Sequence, residues 1–223
     1  KVRAVRIAAA DAFLQIPANE IPVSFREPLL SAKKELETYM QYQLDFAVGN
    51  IMLGDYYLRQ NDFFNAEKYY TRGLKKDSMT NYARLNLASM YNQQQKNNDA
   101  LRVLLEAQKT DPKNDRIQYN LALLYVELKD NANAEKSFAK AVAMNSHDPR
   151  LYYNYALFQQ QSGKSAQAEQ LLKKGLLIEP GNIDLNYALA YLYIQLKQPQ
   201  KAVGPAMVLK RADPANPEYQ SLF

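Results

Sequence analysis

Residues 115–148 read DRIQYNLALLYVELKDNANAEKSFAKAVAMNSHD, and almost every feature of this stretch returns at a constant step of 34 residues. Its pair Leu121-Ala122, a large residue followed by a small one, recurs as Leu53-Gly54, Leu87-Ala88, Tyr155-Ala156 and Leu189-Ala190. Ala134 belongs to a column with Ala66, Ala100, Ala168 and Ala202, and Tyr125 to one with Tyr57, Tyr91 and Tyr193, interrupted only by Gln159. A fixed period of this length marks a repeat architecture, because each unit is one supersecondary element that buries its apolar face only against its neighbours.

Within a unit the apolar spacing is that of two helices, i and i+4 on the first and i, i+4, i+7 on the second. The small residues mark helix contacts, and Tyr70, Leu104, Phe138 and Leu172 fill the space beside them. Gln60-Asn61-Asp62, Lys129-Asp130-Asn131 and Ser162-Gly163-Lys164 supply polar turns inside units. Asp111-Pro112, Glu179-Pro180 and Asp213-Pro214 end second helices, with Ser78 and Ser146 in the same slot elsewhere, since Pro forces the residue before it toward extended geometry.

This large-small, Tyr, Ala, aromatic, Ala, Pro pattern resembles the tetratricopeptide repeat. The resemblance covers residues 47–216 as five units, 47–80, 81–114, 115–148, 149–182 and 183–216. It implies an all-α fold, a right-handed α-α superhelix (solenoid) of antiparallel helix pairs.

Composition narrows the function. Of 223 residues, 47% are hydrophobic, a globular fraction, and no run approaches the roughly 20 apolar residues that cross a bilayer, so no membrane insertion is expected. The chain has no Cys, hence no disulfide, thiolate metal site or thiol nucleophile. The formal charge of +5 is spread so thinly that no 34-residue unit exceeds +2, which argues against nucleic acid, whose phosphates require a concentrated basic stripe. The single imidazole, His147, sits in a polar turn beside Asp148 and Pro149. With no phosphate cradle, nucleophile elbow or paired His, neither catalysis nor a cofactor or metal is expected.

At the beginning, residues 1–23 place Val2, Val5, Ala9, Ala12, Phe13 and Ile16 on one helical stripe ended by Pro17, with no partner helix in the chain. The run Val2–Ala10 resembles the second helix of a HEAT repeat, and its junction with the repeats is similar to C-terminal tails of multihaem c-type cytochrome-like proteins. That resemblance implies an exported, periplasmic setting, with any haem region upstream of Lys1; a cytoplasmic one stays open. Residues 24–46 read as a capping helix opened by a Ser24/Glu27 capping box, burying Phe25, Leu29, Leu36 and Met40, with Asp45 capping the first repeat helix. At the other end Gly204-Pro205 is expected to kink or shorten a helix. Residues 217–223 read as a helical stub with Asn216 as N-cap, shielding the open end of the array or leaving it to self-associate.

In the resembled family the first helices line the concave side of the array. The positions two and one before each large residue then face the groove. They carry Leu85, Tyr119, Tyr153 and Tyr187, followed by Asn86, Asn120 and Asn154. Asn amides at regular rise suit the backbone of an extended peptide, and Tyr faces offer apolar contact with a polar tip. Arg116 and Arg150 lie three residues upstream, placed to meet a carboxylate or simply to snorkel over a helix end, and Gln160 belongs to a polar far wall. The expectation is a scaffold binding a protein or peptide segment in that groove. The alternative is a structural, oligomerisation or docking tail of a larger exported protein.

Overall fold

The computed structural model describes residues 2–144 and 146–220. Among them there is no strand, and 13 α-helices follow one another. Two compact units divide at Pro112. The first holds α1 (Arg3–Ala12), a short 3-10 turn, α2 (Val23–Gln41), α3 (Ala47–Arg59), α4 (Phe63–Lys76), α5 (Asn81–Gln93) and α6 (Asn97–Thr110). The second holds α7 (Asp115–Glu127), α8 (Asn131–Ala143), α9 (Pro149–Gln161), α10 (Ser165–Ile178), α11 (Ile183–Gln195), α12 (Pro199–Ala212) and α13 (Pro217–Gln220). From α3 to α12, consecutive helices pack as five hairpins, α3–α4, α5–α6, α7–α8, α9–α10 and α11–α12.

One device closes every hairpin. Asn61, Gln95, Lys129, Gly163 and Lys197, again 34 apart, take left-handed φ of 58–75°. The next residue's N–H then reaches back five positions: Asp62 to Tyr57, Lys96 to Tyr91, Asp130 to Tyr125, Lys164 to Gln159 and Gln198 to Tyr193, each at 2.8–2.9 Å. This closure satisfies carbonyls that a helix end would otherwise strand. Four of these residues are not glycine, and φ near 60° for Gln or Lys is uncommon, so packing of the two helices holds the turn there. Between repeats, Asp111, Glu179 and Asp213 are extended C-caps before their prolines.

The small columns sit where the helices touch. Ala66, Ala100, Ala134, Ala168 and Ala202 are at most 1% exposed, and all five large residues of the first column are buried. In the second unit, Phe138 stacks on Tyr155 at 4.9 Å and meets Phe158 at 5.7 Å, in a core shared by Leu151, Leu172, Leu185 and Leu192. In the first unit a separate cluster joins Ala10, Leu14, Ala32, Leu36, Met40, Leu53 and Tyr56.

Another column has the same period. Asn50, Arg84, Gln118, Tyr152 and Asn186 are all buried and all carry a donor. Asn50 donates to the Leu44 carbonyl at 2.7 Å, Tyr152 to Ser146 at 3.0 Å and Asn186 to Pro180 at 2.9 Å, each six residues back into the preceding turn. In these three the side-chain identity changes while the job, holding the preceding turn, persists.

The ends depart from expectation. The exposed residues of α1 include Val5 at 64%, with Val2 and Phe13 exposed beside it, whereas Ala10 and Leu14 are buried and Ile7 packs against them. The buried stripe is therefore rotated from the expected one. Its partner is present too, since α1 packs on α2, and Arg6 grips both carboxylate oxygens of Glu35 across the pair. No Ser24/Glu27 capping box forms: α2 starts at Val23 behind Pro22, which supplies no side-chain cap, and Phe25 is exposed. Leu36 and Met40 are buried, and Leu29 is half-buried. Phe46, not Asp45, is the N-cap of α3, and the Asp45 carbonyl instead accepts from Lys76. Pro205 does not shorten α12, which runs 14 residues like α4, α6 and α10. Asn216 does cap α13, accepting from the Glu218 N–H at 3.0 Å; residues 221–223 of the expected stub lie outside the described ones.

Candidate functional site

In the second unit Tyr119, Tyr153 and Tyr187 stand on the first helices α7, α9 and α11, one per repeat and each half-buried. Burial pushes the Tyr119 and Tyr153 phenols up, so both stay neutral donors at neutral pH. Tyr187 stacks on the exposed Tyr191 at 6.3 Å and meets Tyr219 of α13 at 6.2 Å. The aromatic row thus extends to the end of the described chain.

The asparagines beside this row are engaged with the protein itself. Asn154 donates to the Tyr119 hydroxyl at 2.6 Å, tying α9 to α7, and Asn120 donates to the Arg116 carbonyl at 2.7 Å. Gln160 reaches Gln195 at 2.6 Å and ties α9 to α11. Arg150 forks onto Asp148 at 3.0 and 2.8 Å, an ion pair with its own helix cap that holds the Asp148 carboxyl below the usual range. Arg116 is exposed, and its charge adds a smaller contribution to the same lowering of Asp148. Arg150 therefore serves the start of its own helix, whereas Arg116 engages Asp115 through its backbone N–H at 2.9 Å.

In the first unit Leu85 is half-buried, and Asn86 is part of a network. Asp55 accepts from Asn86 at 2.8 Å, from Tyr82 at 3.2 Å and from the Tyr70 hydroxyl. Burial first, and Asp55 second, push Tyr70 far above a normal phenol. Beside the network a cavity of about 540 Å³ is lined by Ile7, Leu36, Tyr39, Met52, Asp55 and Arg59. Periodicity gives no access to it, because most of its wall comes from α1 and α2, outside the repeats.

The interrupted aromatic column has a polar purpose as well. Tyr57 donates to Glu37 at 2.8 Å and Tyr193 to Glu169 at 2.9 Å, each carboxylate on the preceding helix pair. Tyr91 is pushed up to about 12 by burial and by its bond to Glu67. Gln159 performs the same act with an amide, donating to Glu135 at 3.2 Å. Among the described residues no group of three or more His, Cys, Asp or Glu is placed to hold a metal, and no helix is long and apolar enough to cross a membrane.

Three sequence-family models match this architecture: tetratricopeptide repeat over residues 51–115, YpiA-like C-terminal tetratricopeptide repeats over 116–182, and tetratricopeptide repeat over 160–222. No curated protein matches the chain in sequence closely enough to count as a relative. Among solved structures, the PilF protein of Pseudomonas aeruginosa is 21% identical with a TM-score of 0.70, covering 98% of this chain and 95% of its own. PilW, described as a widely conserved type IV pilus biogenesis factor, is 13% identical with a TM-score of 0.71, covering 100% and 98%. YrrB, described as a repeat protein with an unusual peptide-binding site, is 17% identical with a TM-score of 0.61, covering 82% and 95%. At these identities the likeness is one of fold.

Proposed function

The chain belongs to the tetratricopeptide repeat family, and from that premise we propose that it is a protein-interaction scaffold whose first helices α7, α9 and α11 receive a segment of a partner. The observation that carries the reading is the row Tyr119, Tyr153 and Tyr187, half-buried and one per repeat. Rings held this way offer contact area at little entropic cost. The bonds from Asn154 to Tyr119 and from Gln160 to Gln195 fix the spacing of the helices that present it. Recognition is accordingly assigned to aromatic faces, with the asparagines as struts. That YrrB is described as binding peptide supports the same class of partner.

The test is selection of peptides from a displayed library on the intact chain, followed by mapping of amide shifts for the tightest one. Shifts on α7, α9 and α11, and at least tenfold weaker binding by Tyr153→Ser with Tyr187→Ser, are expected. Shifts confined to second helices, or undiminished binding by the double variant, would overturn the reading.

One observation favours a second role. The last repeat exposes Tyr191, Ile194, Leu196, Val203 and Met207, an apolar group of the kind that drives self-association. Sedimentation across a concentration series checks it: a dimer weakened by Met207→Glu supports end-to-end assembly, and a monomer at every concentration removes it.

A further inference from the structure

The first repeat, residues 47–80, carries almost no net charge, yet its cations gather on one helix face. Phe64, Glu67, Lys68, Thr71, Arg72 and Lys75 of α4 line an open hollow of about 520 Å³. Their spacing is that of a helix seam, the stripe along which a second helix packs. All but Glu67 stand exposed, Phe64 at 79%. None of the candidate groove residues lies on this helix.

The carboxylates that would neutralise this stripe are engaged elsewhere. Asp62 caps α4 by accepting from Asn65, Glu67 holds the Tyr91 hydroxyl, and Asp77 accepts from Met79 and Thr80 in the following turn. Lys68, Arg72 and Lys75 meet no carboxylate among the described residues. Two later second helices treat a cation differently: Arg102 of α6 reaches Asp99 and Glu106, and Lys173 of α10 reaches Glu169. A cation in the last turn, such as Lys75, complements the helix dipole. Lys68 and Arg72 lie further in, where the dipole does not account for them, and it has no bearing on an exposed Phe64.

Charge and spacing select the occupant. Lys68, Arg72 and Lys75 follow one another at rises of about 6 and 4.5 Å along the helix axis. Carboxylates at i, i+3 and i+7 of an antiparallel helix meet Lys75, Arg72 and Lys68 with the same rises, and an apolar residue at i+11 then falls over Phe64. Alternate residues of an extended segment, roughly 6.6 Å apart, drift out of step with them. We propose that the exposed face of α4 is a docking site, separate from the groove, for an acidic amphipathic helix of a partner protein. Its carboxylates neutralise Lys68, Arg72 and Lys75, and its apolar residue covers Phe64.

The probes are two labelled helical peptides of one composition, the first with glutamates at i, i+3 and i+7 and leucine at i+11, the second with those four residues dispersed around the helix. Fluorescence anisotropy with the intact chain is expected to show saturable binding of the first, about tenfold tighter than the second and weakening as salt is raised. Arg72→Glu with Lys75→Glu, both at exposed positions, should keep the helical spectrum and weaken binding about tenfold. Tyr153→Ser with Tyr187→Ser should leave it unchanged, and a loss there would place the peptide in the groove and overturn the site. Equal binding of the two peptides, binding undiminished by the charge reversal, or no saturable binding would each overturn it as well. Tighter binding of anionic phospholipid vesicles or of duplex DNA than of the first peptide would overturn its assignment to a polypeptide.

Discussion

The hairpin α1–α2 and the hairpin α7–α8 are built from similar residue types, yet they are held in different ways. In α7–α8 the columns lock: Leu121, Ala122, Ala134, Phe138 and Ala141 are all at most 1% exposed. In α1–α2 only Ala10, Ala32, Leu36 and Met40 are sealed from the helices themselves, while Val5, Val23, Phe25 and Leu30 stand in solvent. Charged bonds do part of the holding there, Arg6 on Glu35 within the pair and Arg59 on Asp11 from the first repeat helix. A repeat hairpin has neighbours specified by the same period, whereas the first hairpin lies outside that period.

The strongest test of this contrast removes a ring from each hairpin. Phe138→Ala empties a fully buried, stacked site and is expected to cost about 3–5 kcal/mol. Phe25→Ser, at an exposed site, should stay within about 0.5 kcal/mol. Urea midpoints of the two variants measure it, and comparable losses would mean that the first hairpin is packed as tightly as a repeat.

Next in size is a test of the small column. A Cβ built on Gly54 would lie 2.6 Å from the Tyr70 ring. That ring is anchored at its far end by Asp55 and Asn86, so it cannot step aside. Gly54→Ala is expected to destabilise by roughly 1–3 kcal/mol. Adding Tyr70→Phe, which unties the ring from Asp55, should make the double variant lose less than the two single losses together. Strict additivity would show that the anchor does not hold the ring in place.

The same contrast explains what could be read in advance. Five repeats, their turns, the buried alanines and the Asp-Pro and Glu-Pro boundaries were visible because a period of 34 lets each position be checked five times. The α1 stripe was misplaced by a fraction of a turn, and the Ser24 box was expected where Pro22 begins the helix, because one unrepeated helix offers a single, ambiguous pattern. The column from Asn50 to Asn186 is not legible in the sequence, since Asn50, Tyr152 and Asn186 share hydrogen-bond donation to the preceding turn and not a size. The candidate groove residues rest on position, and position alone does not reveal that Asn86, Asn120 and Asn154 donate within the fold.

A smaller effect separates the two repeats whose side chain caps the second helix from the three in which none does. Asp62 and Asp130 accept from the N–H three residues on, at 3.1 and 3.2 Å, whereas Lys96 in the same place offers no acceptor. Lys96→Asp is expected to stabilise by about 1 kcal/mol, partly offset by losing the ammonium 6.0 Å from the Tyr91 ring. Calorimetry should show a raised melting temperature; a lowered one would mean the ring contact outweighs the cap.

The smallest effect concerns the polar rungs. Glu169 is held below the ordinary glutamate range, first by Lys173 and then by the Tyr193 hydroxyl, with a fifth of its side chain still exposed. A depressed folded value means that the stabilisation is complete above the unfolded pKa of about 4.3 and disappears as pH falls through the folded value. Glu169→Gln keeps an acceptor for Tyr193 but removes the charge facing Lys173, so solvent screening limits its cost to under about 1 kcal/mol. Urea midpoints for wild type and variant should differ by a constant amount near neutrality and converge on acidification. A gap that persists unchanged in acid would assign the difference to altered packing and not to the carboxylate charge.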